Sequence, residues 1–258
     1  MKVTLLGCGP SQGVPVIGNR WGACDPANPR NRRLRPSILV EDAGVGILVD
    51  TSPDIREQLL ANDIRRVDAI LYTHLHYDHV AGIGELRTLS FLAKRMIDIY
   101  GTPDVMASLA ERWGYLFQSE ASDDTDLYKP VAQTNDIAYG QAFDVMGVSV
   151  LPFRQDHGIC ETAGYRFGKF AYSTDAVLLD DAAFAMLDGI DVWIVDCLRD
   201  DPHPTHAHFD RTLAWIERVK PKRAIFTHMN FQTDYETFRS KCPPGVEPGY
   251  DGMVLEID

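Results

Sequence analysis

The sequence predicts an α/β protein of four layers, two β-sheets packed face to face with helices outside them. Three observations lead there. Short apolar runs of strand length recur along the chain, stretches with helical spacing lie between them, and the strands first cluster and then alternate with helices. In chain order the strand candidates are "VTLLG", "SILVE", "GILVD", "AILYT", "VSVLPF", "GYRF", "FAYST", "VWIVDC", "RAIFTH" and "MVLEI". Helices are expected over residues 54–61, 82–94, 103–113, 177–187, 209–219 and 232–241, some with acidic or hydroxyl residues near their starts. The stretch "SEASDDTDLYKP" reads as an exposed loop. With no internal repeat, low-complexity tract or Pro/Gly/Ser linker, one domain over residues 1–258 is the economical reading.

Composition narrows the function classes. At 258 residues and 45% hydrophobic the chain can bury a sizeable core, and no stretch approaches the roughly 18 unbroken apolar residues of a membrane span. Gly7, Gly9 and Pro10 interrupt the first apolar run before it could serve as a signal segment, so a cytoplasmic location is expected. Five cysteines, Cys8, Cys24, Cys160, Cys197 and Cys242, are widely spaced and include no C-x-x-C, against both a disulfide framework and a zinc ribbon. A net charge of -12 has the wrong sign for broad attraction to nucleic acid. The cluster Arg30, Arg32, Arg33 and Arg35 offers at most a small positive site for a phosphate, and such runs are more often solvated or paired with acids.

The densest chemistry lies in "THLHYDHVAG", which puts three of the eight histidines and an aspartate into six positions. Buried, such groups each need a partner, and imidazole with carboxylate is a ligand set suited to first-row divalent ions. Further candidates follow other strands: His157 after "VSVLPF", Asp175 after "FAYST", Asp196 at the end of "VWIVD" and His228 after "RAIFT". Strand ends at one sheet edge converge in space, where α/β active sites are commonly built. His74 and His76, two residues apart, can point the same way, while Asp78 and His79 face a neighbouring position. That supplies two adjacent cations, with His157 completing the first set, His228 the second, and Asp175 bridging, about 3.5–4 Å apart as in two-metal hydrolases.

"THLHYDH" resembles the H-x-H-x-D-H signature of the metallo-β-lactamase superfamily, with "DHG" at His157, "STD" at Asp175 and "FTH" at His228 in family order. Among its branches the chain is most similar to the PhnP-like phosphodiesterases, which share the amino-terminal G-x-G-x-x-x-G-x-P pattern with ribonuclease Z. The resemblance implies the αββα sandwich and two divalent metal ions, manganese or zinc with iron as a further candidate. Asp175 stands where class B β-lactamases use a cysteine, and His76 stands where redox di-iron relatives have a glutamate; both activities are therefore disfavoured. PhnP itself also carries a structural zinc held by three cysteines and a histidine. Here only Cys24 remains, and Asn230 and Phe231 follow His228, so that zinc is not expected and packing, through Trp21 for instance, must hold the loop 11–36.

The function expected is hydrolysis of a small, in one version cyclic, phosphodiester by a hydroxide that the metals generate. The leaving oxygen needs an acid. Of His203, His206 and His208, the last resembles the proton-donating histidine of the family and Asp196 the acid that orients it; His203 and His206 are expected at the surface. The partner is a small phosphate ester, with neither membrane nor large nucleic acid, and a homodimer is allowed. The alternative on the same fold is a carboxylic-ester hydrolase, a lactonase or thioesterase. A binding protein without turnover is a third reading, disfavoured by the complete ligand set.

Overall fold

The structure, a computed structural model, describes residues 1–117 and 129–258. All but the last two residues of the expected loop "SEASDDTDLYKP" lie outside the described residues. The first sheet runs β14 (Met253–Glu256), β1 (Lys2–Gly7), β2 (Ser37–Asp42), β3 (Val45–Val49), β4 (Ala69–Leu71), β5 (Ile97–Gly101) and β6 (Ala132–Asp136). Its β14-β1-β2-β3 part is antiparallel, and β3 to β6 are parallel. The second runs β13 (Val246–Pro248), β12 (Arg223–Thr227), β11 (Val192–Asp196), β10 (Phe170–Ser173), β9 (Glu161–Phe167), β8 (Val148–Asp156) and β7 (Phe143–Val145), parallel from β10 to β13.

Side-chain alternation decides what each face buries. In β2, Ile38 and Val40 join Ile47, Leu71, Phe153, Tyr165, Tyr172 and Phe226 in the core between the sheets. Leu39, between them, points the other way and packs with Leu48, Ile70 and the apolar stripes of α1 (Ile55–Ala61), α3 (Leu86–Ala93) and α4 (Pro103–Arg112). On the second sheet Ala183 and Leu187 of α5 (Asp181–Leu187), Trp215 of α6 (Phe209–Val219) and Phe238 of α7 (Tyr235–Lys241) complete the outer layer. The result is the αββα sandwich that the sequence predicts.

The differences are local. The expected helix 82–94 is split into a 3-10 turn, Ala81–Glu85, and α3; in the turn Gly82 packs so closely on Ser52 that a Cβ would lie 2.1 Å from its carbonyl oxygen. A one-turn helix, α2 (Tyr77–Val80), forms inside the histidine motif. Strands β5, β6, β7 and β13 went unexpected: in β5, "IDIYG", buried residues alternate with half-buried ones, β6, "AQTND", buries only Ala132, and β7 and β13 have three residues each, so none carries a long apolar run.

The loop between β1 and β2 is held by Arg33, which is 1% exposed. Its guanidinium donates to the Thr233 carbonyl at 2.7 Å, the Asn230 carbonyl at 3.2 Å, Thr233 Oγ1 at 3.0 Å and Asn31 Oδ1 at 3.3 Å. Cys24 is buried beside it, its Sγ 3.5 Å from the Phe231 and Thr233 carbonyls. Trp21, expected to hold the loop, is half-exposed and bonds Asn19 within it. The arginine cluster makes no joint phosphate site. Arg30 stacks over Tyr235 and Tyr250, Arg32 over Trp21, and Arg35 pairs with Asp54 at 3.2 Å. Gly7 and Gly9 of the amino-terminal motif allow this loop to pass, since a Cβ on either would meet the Arg35 or Arg33 carbonyl oxygen within 2.8 Å.

Candidate metal centre

The seven expected ligands converge from both sheets. His74 follows β4 and His76 caps α2, which carries Asp78 and His79; His157, Asp175 and His228 follow β8, β10 and β12. Two groups result, in which the ligand atoms lie within 4.8 Å of one another: His74, His76, His157 and Asp175, and Asp78, His79, His228 and Asp175. Asp175 is common to both, and its two oxygens divide between them. Oδ1 lies 3.9 Å from His74 Nε2 and 3.6 Å from His157 Nε2, whereas Oδ2 lies 3.1 Å from His79 Nε2 and 3.4 Å from His228 Nε2. Asp78 Oδ2 stands 3.4 Å from both His79 and His228.

The donor set fits two divalent cations on several counts. The Nε2 atoms of His74, His79 and His228 are buried with no hydrogen-bond partner, which is costly unless something positive accepts their lone pairs. In three of the histidines the opposite ring nitrogen is tethered: His79 Nδ1 donates to Asp50 at 2.7 Å, His157 Nδ1 donates to the Thr205 carbonyl at 2.6 Å, and His74 Nδ1 lies 3.0 Å from Thr73 Oγ1, whereas His228 Nδ1 is buried without a partner. Such tethers fix the tautomer that presents Nε2 to a metal. Asp50 is oriented in turn by the Thr73 N–H and hydroxyl, each at 2.8 Å. Backbone strain collects at the same place, since Asp50, Asp175 and His228 all have φ near +60°.

Electrostatics follow burial and charge. Burial and the neighbouring His79 hold His74 well below the ordinary imidazole range, the neutral state a ligand needs. Burial works against charge at His79 too, but Asp175, Asp78 and Asp50 outweigh it and raise its pKa. Burial would lift Asp175 and Asp78, yet the surrounding histidines bring both carboxyls below their usual range and keep them ionised.

Asp196, at the end of β11, does not meet His208. Its Oδ2 accepts from His206 Nδ1 and from the Ala176 N–H, both at 3.0 Å. His206 is 8% exposed, stacks on the His228 ring at 4.5 Å, and puts Nε2 3.9 Å from Asp175 Oδ1. Burial opposes its charge, but Asp196 raises its pKa to about 9; bound cations would push it back down. His208 is the N-cap of α6 and its side chain makes no cap bond; its Nδ1 is buried without a partner. The sequence expectation is corrected here on both counts: His206 is neither at the surface nor apart from the centre, and His208 is not the residue Asp196 holds. His203 is half-exposed, its ring 5.3 Å from that of His206. Asp50 and the Thr205 carbonyl were not expected, and no local spacing announces either.

Fold and centre together define a class. Residues 46–229 match the Beta-lactamase superfamily domain, and the chain belongs to that family, with the metallo-β-lactamase fold. Within it the similarity to the PhnP family expected from the motifs is met: a diphosphatase from the PhnP family is 35% identical, with a TM-score of 0.89 over 98% of this chain and 96% of that one. An octanoyltransferase of Porphyromonas gingivalis is 31% identical over 261 residues, covering 100% of this chain but 52% of the relative. Human tRNase Z, short form, shares the fold at 21% identity, with a TM-score of 0.72 over 100% of both chains. The chain spans about half the length of the first curated relatives it matches.

Proposed function

We propose that this protein is a dinuclear metal-dependent hydrolase of a small phosphodiester, with His206 as proton donor to the leaving oxygen and Asp196 as its positioning residue. His74, His76 and His157 would hold one cation and Asp78, His79 and His228 the other, with Asp175 common to both sets. When bound, the two cations supply Lewis acidity for a phosphoryl oxygen and lower the pKa of a water. The observation that carries the reading is the Asp196–His206 pair beside the bridging carboxylate, with Nε2 3.9 Å from Asp175 Oδ1. Asp196 accepts from Nδ1 and favours the imidazolium, the form in which Nε2 also carries a proton and presents it to the centre. An alkoxide needs that proton; a thiolate or a phosphate leaves with less help, and the pair therefore favours a diester over a thioester or a diphosphate. The net charge of -12 argues for a small substrate rather than a long polyanion. No helix among the described residues is long and apolar enough to cross a membrane.

The test compares two alanine variants on diesters of rising leaving-group pKa. His206→Ala should lose about 10²–10⁴ in kcat on an alkyl or nucleoside leaving group and far less on p-nitrophenolate, at unchanged metal content. His208→Ala should stay within a few-fold on both. Equal losses across leaving groups would remove His206 as the acid, and a larger loss in the His208 variant would restore the expectation from sequence. Lactones, thioesters and diphosphates belong in the same panel, and preference for one of them would replace the diester reading.

A further inference from the structure

A cleft of about 720 Å³ opens on the His74 and His76 side of the centre, between the start of α4 and the segment after β6. Val105 and Ile137 are buried in its wall, Leu75 and Tyr139 are half-buried, and Pro103 and Ala138 stand at its rim. Among the described residues its only charged side chains are acidic, Asp104 and Glu161. Glu161 is paired with Arg154 at 2.6 Å, but Asp104 has no basic partner within salt-bridge distance among the described residues. His206 does not line this cleft. It packs instead on His157 and His228, with ring centroids 4.8 Å and 4.5 Å away.

A phosphodiester carries two organic arms, and this arrangement gives them different surroundings. The arm that leaves must have its oxygen beside the proton donor, which packs on one histidine of each ligand set, His157 and His228, and lies outside the cleft. The arm that stays on phosphorus is then left to the cleft, which begins at His74 and His76 and which the proton donor does not line. We infer that the cleft selects the retained arm, taking an uncharged group that carries a ring and rejecting one that carries a second anion; this rests on the diester reading above. An apolar wall with one aromatic face rewards a ring. An added anion at the rim would meet the exposed carboxylate of Asp104, which no basic side chain among the described residues neutralises. The substrate class that follows is an aryl or nucleoside-type diester, with no further phosphate on the arm that is kept.

Diesters sharing p-nitrophenolate as leaving group, with methyl, phenyl, thymidine 5′ or phosphonomethyl retained arms, test this directly. Phenyl and thymidine should exceed methyl by about 10–100-fold in kcat/KM, and phosphonomethyl should fall below methyl. Tyr139→Ala should remove about tenfold of the phenyl preference while leaving the methyl substrate within a few-fold, and Tyr139→Phe should restore it. Asp104→Asn, at an exposed position, should raise the phosphonomethyl substrate relative to methyl. A second readout needs no turnover. Cys160, the exposed cysteine at the cleft, should be alkylated by N-ethylmaleimide more slowly with diphenyl phosphate than with dimethyl phosphate present. Rates independent of the retained arm, equal losses on methyl and phenyl in Tyr139→Ala, or no difference in Cys160 protection would overturn the inference with the diester reading intact. If no diester were cleaved the diester reading would fail, and Cys160 protection would still decide whether the cleft takes a ring.

Discussion

Replacing Arg33 with alanine tests what fastens the amino-terminal loop to the strand that delivers His228. The guanidinium is buried and makes four hydrogen bonds to oxygen, two of them to the backbone carbonyls of Asn230 and Thr233. No carboxylate lies within salt-bridge distance among the described residues, so the charge is solvated by these dipoles. Hydrogen bonds to a charged group contribute about 1.5–3 kcal/mol each, and a buried carbonyl left unpaired costs about 1–3 kcal/mol. Offsetting this, removing the charge also removes its desolvation penalty of several kcal/mol. Asn230 O keeps the Thr233 hydroxyl and Asn31 Oδ1 keeps the Tyr235 N–H, whereas Thr233 O keeps only the Cys24 thiol. With the cavity of the lost side chain, the net expectation is about 3–5 kcal/mol of destabilisation for Arg33→Ala. Methionine, which fills most of the space, should lose about half as much. Urea unfolding of the metal-loaded protein measures the total, and thiol titration of Cys24, 3% exposed in the native fold, reports local opening. A loss under about 1 kcal/mol with Cys24 still protected would show that other contacts hold the loop.

Asp50→Asn should weaken metal binding by about 10–100-fold in chelator competition while the fold persists, because it disturbs the orientation and basicity of His79 rather than removing a ligand; unchanged affinity would exclude that role. Asp251 gives a pH dependence. Burial lifts its carboxyl to about 7, against the bonds from the Leu34 and Cys8 N–H groups that pull it down. Folded protein then binds this proton more tightly than unfolded protein, whose carboxyl titrates near 3.9, so the contribution of Asp251 to stability falls as pH rises from about 4 to 7. Asp251→Asn should be less stable than the parent at pH 5, and the gap should narrow by roughly 2–3 kcal/mol by pH 8. A gap independent of pH would show that Asp251 is ionised throughout.

Sequence alone determined the layers and singled out the candidate metal-binding side chains, because both are written in local patterns. The apolar runs place β1 to β4 and β8 to β12, and in α6 the expected and observed bounds coincide at Phe209–Val219. The spacing H-x-H-x-D-H works over six residues, within a single strand-to-helix turn, so its geometry needs little from the rest of the chain. Tertiary structure decided what depends on crossings between distant segments. His206 and His208 share one short polar stretch and the same chemistry. What separates them is that the Ala207 N–H bonds the Ala176 carbonyl at 2.7 Å, which sets His206 against Asp175 and Asp196, while the backbone of His208 already stands at the N-cap of α6. Arg33 could not be told from its three arginine neighbours until residues about 200 positions away supplied its acceptors. Asp50 lies 29 positions from the histidine it orients. A lone arginine or aspartate carries no periodicity, and only the packed chain shows which polar groups have been left without water and must find each other.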